Sequence, residues 1–307
     1  MLKCGNMKSV ADNITVLSNE PMSGHTSWRA GGLARRYVRA KSLSALAAFI
    51  ATLPEDEEVL WTGLGSNILV RDGGFNGTVI ATQGLMTQLE LLDETTVYVG
   101  AGVADAKLAR FCGRHQLSGA EFFAGIPGLI GGALAMNAGA FGGETWPLVV
   151  AVETLNRKGE ITKRQASEFT YSYRHVAGPK NEWFVSATLK LKKQEQSSGA
   201  VDIKRLLARR AQNQPIGAAS CGSVFRNPEG QYAASLIEQC GLKGRRIGGA
   251  VISVKHANFI INDNNASATD IESLIKLMQH EVEAKYGIVL QPEVEIVGDA
   301  LPGEQQS

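Results

Sequence analysis

The sequence lacks a surplus of charge of either sign: 31 Lys and Arg stand against 30 Asp and Glu, a net charge of +1. Such a balance supplies no long-range field for nucleic acid or an anionic membrane, so an anionic ligand has to be held by local geometry. Long hydrophobic runs are also missing. No stretch of roughly 18 apolar residues occurs, which argues against a transmembrane helix. The segment from Met1 to Asn13 is polar and mixed, without the apolar core of a secretory signal. Cysteine is sparse. Cys4, Cys112, Cys221 and Cys240 are scattered with no CxxC pair, so free thiols are expected and no metal site. These absences together give the expectation of a soluble, cytoplasmic protein with neither nucleic acid nor membrane as partner.

Several familiar signatures are absent too. Gly63-Leu64-Gly65 opens like a dinucleotide fingerprint, but Ile68 stands at the third glycine position. That glycine lets a helix pack closely on its strand, so a Rossmann fold is not expected. No Gly-Lys pair exists for a Walker A loop. His280-Glu281 would open a zincin site, yet Ala284 replaces the second His. Ser273 and Lys276 form S-x-x-K only by coincidence of helical spacing, and no G-x-S-x-G elbow is present.

Glycine is what the chain has in excess, 34 of 307 residues against a usual frequency of roughly 7%. It clusters in Gly63 to Gly74 (GLGSNILVRDGG), in Gly125 to Glu144 (GIPGLIGGALAMNAGAFGGE) and in the short turn Ala30 to Leu33 after Thr26-Ser27-Trp28-Arg29. Without a Cβ, backbone N–H groups can converge on a phosphate oxygen and bind an anion with no cationic side chain. A flat ring could lie against the small and apolar residues of the second cluster. Tight turns between strands are the bland alternative for any single cluster. Two long clusters in one chain favour a phosphate-bearing cofactor.

The remaining pattern is α+β. Ser42 to Leu53 reads as a helix with Ser42 as N-cap, and Ala104 to His115 as another with Leu108, Phe111 and Cys112 inward. Val59 to Trp61, Thr78 to Ala81, Val149 to Leu155 and Trp183 to Leu191 read as strands. The polar run Lys192 to Ala200 is the linker candidate, with a boundary near residue 195. Asp202 to Gln214 reads as a helix stopped by Pro215. Thr269 and Glu272 form a T-x-x-E capping box before Ile271, Leu274, Ile275, Met278 and Val282 at helical spacing. A second constellation comprises Tyr171-Ser172-Tyr173-Arg174, the segment from Cys221 to Pro228, and Pro292-Glu293-Val294, taken as the end of the last strand. Spacing alone does not unite these three.

The stretches TSWRAGG, GLGSNILVRDGGFNGTVI, AGIPGLIGGALAMNAGAFGGE, YSYR, GSVFRNP, HANFIIN and QPEVEIVG follow one another from about Thr26 to Gly298. In that order they resemble the UDP-N-acetylenolpyruvoylglucosamine reductase (MurB) family. Gln291 where a Glu is common, and His175-Val176 after YR, are small departures. The resemblance implies an α+β protein with an FAD-binding domain of the vanillyl-alcohol-oxidase (PCMH) type and a smaller C-terminal α+β substrate domain. The division expected is 1–195 for FAD, in subdomains of about 14–83 and 84–195, then 200–297 for substrate and a tail of 298–307. The short span from Arg174 to Trp183 is similar to the type II branch.

The resemblance also implies the chemistry. NADPH reduces FAD, and hydride then passes to C3 of the enolpyruvyl ether of a UDP-sugar in peptidoglycan precursor synthesis. Ser223 matches the family's proton donor to C2, Arg174 its active-site arginine and Glu293 its glutamate. An ionised Glu293 beside the developing enolate would oppose it, so this group is expected protonated or tightly paired with a cation. The FAD pyrophosphate is expected at Gly63, Gly65, Ser66 and Asn67. The isoalloxazine is expected near Gly125, Ile126, Pro127, Gly131, Gly132, Asn137 and Ala138. Tyr173, Asn227 and His256 are candidates for substrate contact, with a structural role for His256 equally open. FAD is expected without a covalent link, and the chain as a monomer. The alternatives are an FAD-linked oxidase or dehydrogenase of the same superfamily acting on another substrate, and a non-catalytic nucleotide-sugar-binding protein. Intact Ser223, Arg174 and Glu293 argue against the latter, because a degenerate copy should lose groups that serve only the transition state.

Overall fold

The computed structural model describes residues 13–194 and 199–301. Its helices are α1 (Leu43–Ile50), α2 (Asp105–Arg114), α3 (Ile130–Met136), α4 (Gly199–Asn213), α5 (Ala233–Gln239) and α6 (Ala268–Tyr286).

The first sheet orders its strands Ile14–Pro21, Leu33–Ala40, Phe75–Ala81 and Val59–Thr62. The outer pair is antiparallel and the other two pairings are parallel. A parallel strand needs a crossover, and α1 supplies it. Its start is where the sequence puts it: Ser42 accepts from the Ala45 N–H at 3.2 Å. Phe75–Ala81 is buried at all but one position, as a strand covered on both faces must be. Leu46 and Ile50 of α1 pack there with Val38 and Ile80.

The second sheet is antiparallel, in the order Ile161–Gln165, Val149–Asn156, Glu182–Lys190, Thr96–Gly100, Leu89–Leu91. α2 and α3 cover it, with Leu108, Cys112, Ile130, Ala133 and Leu134 buried against Val97, Val99 and Leu189. Lys192–Lys193, read as the start of a linker, pairs with Leu117–Ser118, while residues 195–198 of that stretch lie outside the described residues.

In the C-terminal part, α5 and α6 pack with the small sheet Arg246–Ile247, Ala250–Ile252, Ile260–Asn262. Ile271, Leu274, Ile275, Met278 and Val282 of α6 are all buried, as their spacing requires. The capping box is not the one read from the sequence. Ser267 is the N-cap and exchanges hydrogen bonds with Asp270, two residues ahead of the T-x-x-E pair. Thr269 instead donates its hydroxyl to Asp72 at 2.7 Å. That carboxylate also accepts from the Ala268 and Thr269 N–H groups, so a residue 196 positions away helps to cap α6.

Three further contacts close the chain on itself. Glu295–Val297 pairs in parallel with Ile68–Val70, returning the C-terminus to the first half. This corrects the reading of Pro292-Glu293-Val294 as the end of the last strand, since the strand begins after them. Trp28 is buried in the C-terminal core, and its indole N–H donates to the Ile260 carbonyl at 2.8 Å. The Arg71 guanidinium grips Glu272 through Nε at 2.9 Å and Nη2 at 3.2 Å.

Candidate active site

A cleft of about 350 Å³ opens where the loop after Val59–Thr62 meets α3. Gly63, Gly65, Ser66 and Asn67 line one wall, and Ile126, Gly131, Gly132 and Ala138 another. Gly65 has φ +60°, and a Cβ there would overlap the His25 carbonyl oxygen. Its own carbonyl accepts from Ser27 N at 2.9 Å and from the Cys221 thiol at 3.5 Å. The turn therefore needs glycine for close backbone approach. Beyond it, the N–H groups of Leu64, Gly65, Ser66 and Asn67 donate to no backbone carbonyl among the described residues. The Ser66 hydroxyl likewise has no partner there. No Lys or Arg side chain among the described residues lines the cleft. Free amides, a free hydroxyl and the absence of cations fit a phosphate held by backbone dipoles. Gly132 completes the fit. A Cβ on it would meet no atom within 4 Å, so its bareness keeps open space inside the cleft.

Only the first half of GLGSNILVRDGG serves this cleft. Arg71 and Asp72 clamp α6, and a Cβ at Gly73 or Gly74 would overlap the Asp299 or Leu33 carbonyl. The second glycine cluster is likewise divided. Gly125 is buried with Phe141 Cε2 2.6 Å from where its Cβ would be. Pro127 lines a neighbouring hollow with Thr26, Arg29 and Arg210 rather than this cleft. Asn137 ends α3 in the left-handed region with φ 47°. Its amide donates to Glu144 at 3.1 Å and to the Ser172 carbonyl at 3.0 Å, and accepts from Trp146 N at 3.0 Å. That side chain is engaged inside the protein.

The constellation that spacing could not unite converges beside the cleft. Arg174 sits with φ 55° at the turn joining Thr170–Ser172 to His175–Ala177. Its Nε donates to Glu293 Oε1 at 2.9 Å, Nη2 to the Gly139 carbonyl at 2.7 Å and Nη1 to the Asn137 carbonyl at 3.4 Å. Both side chains of this pair are 13% exposed. Burial pushes the Glu293 carboxyl above its ordinary value, although Arg174 and Arg226 pull it down. Three of Arg174's five N–H donors are thus engaged, leaving two for a ligand. Asn67, on the cleft wall, donates to the Glu293 carbonyl at 3.0 Å and joins the two regions.

Ser223 arrives on a segment held by exact backbone pairing. Val224 O accepts from Glu293 N at 2.8 Å, Phe225 bridges Pro292, and Arg226 N donates to Gln291 O at 2.9 Å. This sets Ser223 one residue from the position paired with Glu293. Its hydroxyl has no partner among the described residues. Asn258 was not singled out from the sequence, though the HANFIIN stretch contains it. It is buried and holds Phe225 at both ends, accepting from its N–H at 3.0 Å and donating to its carbonyl at 2.8 Å. Tyr173 and Asn227 do come together, at 3.5 Å from hydroxyl to backbone N. The Asn227 side chain then caps the turn at Ala233 N, 3.1 Å away. His256 joins neither group: its ring packs edge-on against Phe259 at 4.7 Å, and burial lowers its pKa.

A family model described as the UDP-N-acetylenolpyruvoylglucosamine reductase C-terminal domain matches residues 214–297, and one for an FAD binding domain matches 34–164. The UDP-N-acetylenolpyruvoylglucosamine reductase of Legionella pneumophila (strain Lens) is 54% identical over 287 residues, 93% of each chain. The chain belongs to the UDP-N-acetylenolpyruvoylglucosamine reductase family. The reductase of Alkalilimnicola ehrlichii is 55% identical over 281 residues, covering 92% of this chain and 94% of that one. The crystal structure of the family's enzyme from Thermus caldophilus superposes with a TM-score of 0.79 at 30% identity, over 93% of this chain and 99% of that one. The family fold expected from the sequence, an FAD-binding domain followed by a C-terminal α+β domain, is the one found.

Proposed function

We propose that this protein reduces UDP-N-acetylglucosamine enolpyruvate to UDP-N-acetylmuramate, with FAD as cofactor and NADPH as hydride donor, in peptidoglycan precursor synthesis. The observation that carries the reading is the meeting of Arg174, Glu293 and the Ser223 segment beside a cleft built for a phosphate-bearing cofactor. Bound FAD, reduced by NADPH, would supply the hydride for C3 of the enolpyruvyl group. The chain's own residues handle the charge and the proton. As C2 gains electron density, the adjacent carboxylate becomes enolate-like, and the two unengaged N–H groups of Arg174 face that charge. Glu293 fixes the guanidinium through Nε and has its own charge offset by it. Ser223 Oγ, protonated at neutral pH and without another partner among the described residues, delivers the proton to C2.

Gly63, Gly65, Ser66 and Asn67 take the pyrophosphate in this reading, and the flavin ring lies toward Gly131, Gly132 and Ala138. Tyr173 and Asn227 form the near edge of the substrate site. Residues 1–195 form the FAD-binding domain and 200–297 the substrate domain, with α4 as the connecting helix. Only residues 178–181 separate the strands His175–Ala177 and Glu182–Lys190, which supports the type II branch. We place the enzyme in the cytoplasm as a monomer; no helix among the described residues is long and apolar enough to cross a membrane. Purified protein should be yellow, bleach with NADPH and regain colour on adding the enolpyruvyl substrate. Colour that bleaches but is not restored by that substrate would overturn the assignment.

A further inference from the structure

Asp105 opens α2 and is 0% exposed, yet neither of its carboxyl oxygens has a hydrogen-bond partner among the described residues. It lines the cofactor cleft. An Asp in the first turn of a helix usually accepts from that helix's free N–H groups. This one does not, and no cation among the described residues faces it. Its backbone N–H is already given to the Gly128 carbonyl at 3.1 Å. The carboxyl is aimed at a small gap over Gly128: a Cβ on that glycine would lie 2.8 Å from Asp105 Oδ2 and 3.7 Å from Ser66 Oγ. An orphaned acid and an unpartnered hydroxyl therefore flank one space, beside the four free amides of Leu64 to Asn67.

Burying an unpaired polar group costs free energy, and fixed geometry of this kind calls for a missing partner. The chemistry of that partner follows from the protonation state. Burial alone pushes the Asp105 carboxyl well above its ordinary value. A carboxyl buried with no hydrogen-bond partner among the described residues favours its neutral form, and a neutral acid is a hydrogen-bond donor. The ligand groups this wall is built for are phosphate oxygens, which only accept.

We propose that Asp105 is a further cofactor-binding residue, whose carboxyl O–H donates to a phosphate oxygen of the bound flavin dinucleotide beside Ser66. The inference rests on the FAD-binding reading above. It assigns a carboxylic acid to an anion site that has no cation among its lining residues.

The test uses full-length protein freed of flavin and titrated with FAD, following the quenching of flavin fluorescence. Asp105→Ala should bind FAD about tenfold or more weakly, the loss of one hydrogen bond to a charged acceptor. Asp105→Asn, which keeps a neutral donor, should stay within about threefold of the parent. The flavin-free Ala variant should melt no lower than the parent, because its buried acid has no partner to lose; a purely structural role would lower the melting temperature. If the Ala variant fails to fold, Asn and the infrared spectrum still decide. At neutral pH the holoenzyme should show the C=O stretch of a protonated carboxylic acid, missing from Asp105→Asn. Undiminished FAD binding by Asp105→Ala, loss of FAD by Asp105→Asn, or absence of that band would overturn the inference. A parent protein that binds no FAD at all would instead sink the proposed function.

Discussion

Two glycines of the cleft look alike in the sequence, and the structure predicts that the same substitution spares the fold at one and not at the other. Gly132→Val adds three carbons where the first meets no atom within 4 Å. The N–H of residue 132 still donates to the Leu129 carbonyl at 2.9 Å, and Val is a few tenths of a kcal/mol better than Gly inside a helix. The flavin-free fold should therefore be as stable as the parent or slightly more so. The added atoms, however, enter a cavity of about 350 Å³ that the cofactor has to fill. Overpacking costs about 1–3 kcal/mol, which at roughly 1.4 kcal/mol per decade is about fivefold to 150-fold in FAD affinity. Gly65→Val is different. A β-branched residue at φ +60° costs about 1–2 kcal/mol in backbone strain. Its Cβ would also overlap the His25 carbonyl and displace the turn that Ser27 N makes to Gly65 O. That variant should lose stability and flavin together. Flavin absorbance per protein, FAD affinity and the melting temperature of the flavin-free form separate the two. A Gly132→Val protein that purifies with full flavin, or one that does not fold, would refute the placement of Gly132 against the cofactor.

Ser223→Ala should retain FAD and its reduction by NADPH but slow reoxidation by the enolpyruvyl substrate by about 10²–10⁴-fold, measured by stopped flow; normal reoxidation would remove Ser223 from the mechanism. Glu293→Gln keeps an acceptor for Arg174 Nε without the charge, so it should fold and bind FAD while the substrate half-reaction falls by about 10²-fold. Equal damage to both half-reactions would show that the pair serves the flavin or the fold. Glu57 tests the first sheet. Burial raises its carboxyl, but hydrogen bonds from Arg35, Thr78 and Arg36 outweigh this and carry it from 4.5 down to about 2. At about 1.36 kcal/mol per unit the pairing is worth about 3 kcal/mol. A depressed carboxyl stabilises above its unfolded value, so this contribution is present above pH 4.5 and lost as pH falls toward 2. Urea unfolding across that window should show the loss, and Glu57→Gln should flatten it.

Elements whose signal is local are legible in the chain alone. Ser42 caps α1 as read, and the buried stripe of α6 runs from Ile271 to Val282 as its spacing requires, because helical periodicity and capping act within a few residues. The ordered motifs also determined the family, since they name residue types the chemistry needs. Tertiary structure alone decided how those residues meet. Arg174 and Glu293 lie 119 positions apart and form one ion pair, and Asp72 caps a helix 196 positions on. Such partnerships leave no periodic trace. The same holds for the glycines. Gly132 keeps a cofactor cleft open, whereas Gly73 and Gly74 make room for a crossing chain, and both uses look the same in the sequence. The amide of Asn137 is engaged by Glu144, Ser172 and Trp146, partners that its place in the second glycine cluster does not reveal. Asp105 gave no signal, because an acid at a helix start is ordinary until burial without a partner is seen. Residue type and local spacing are properties of the chain, but burial and the presence of a partner belong only to the folded arrangement.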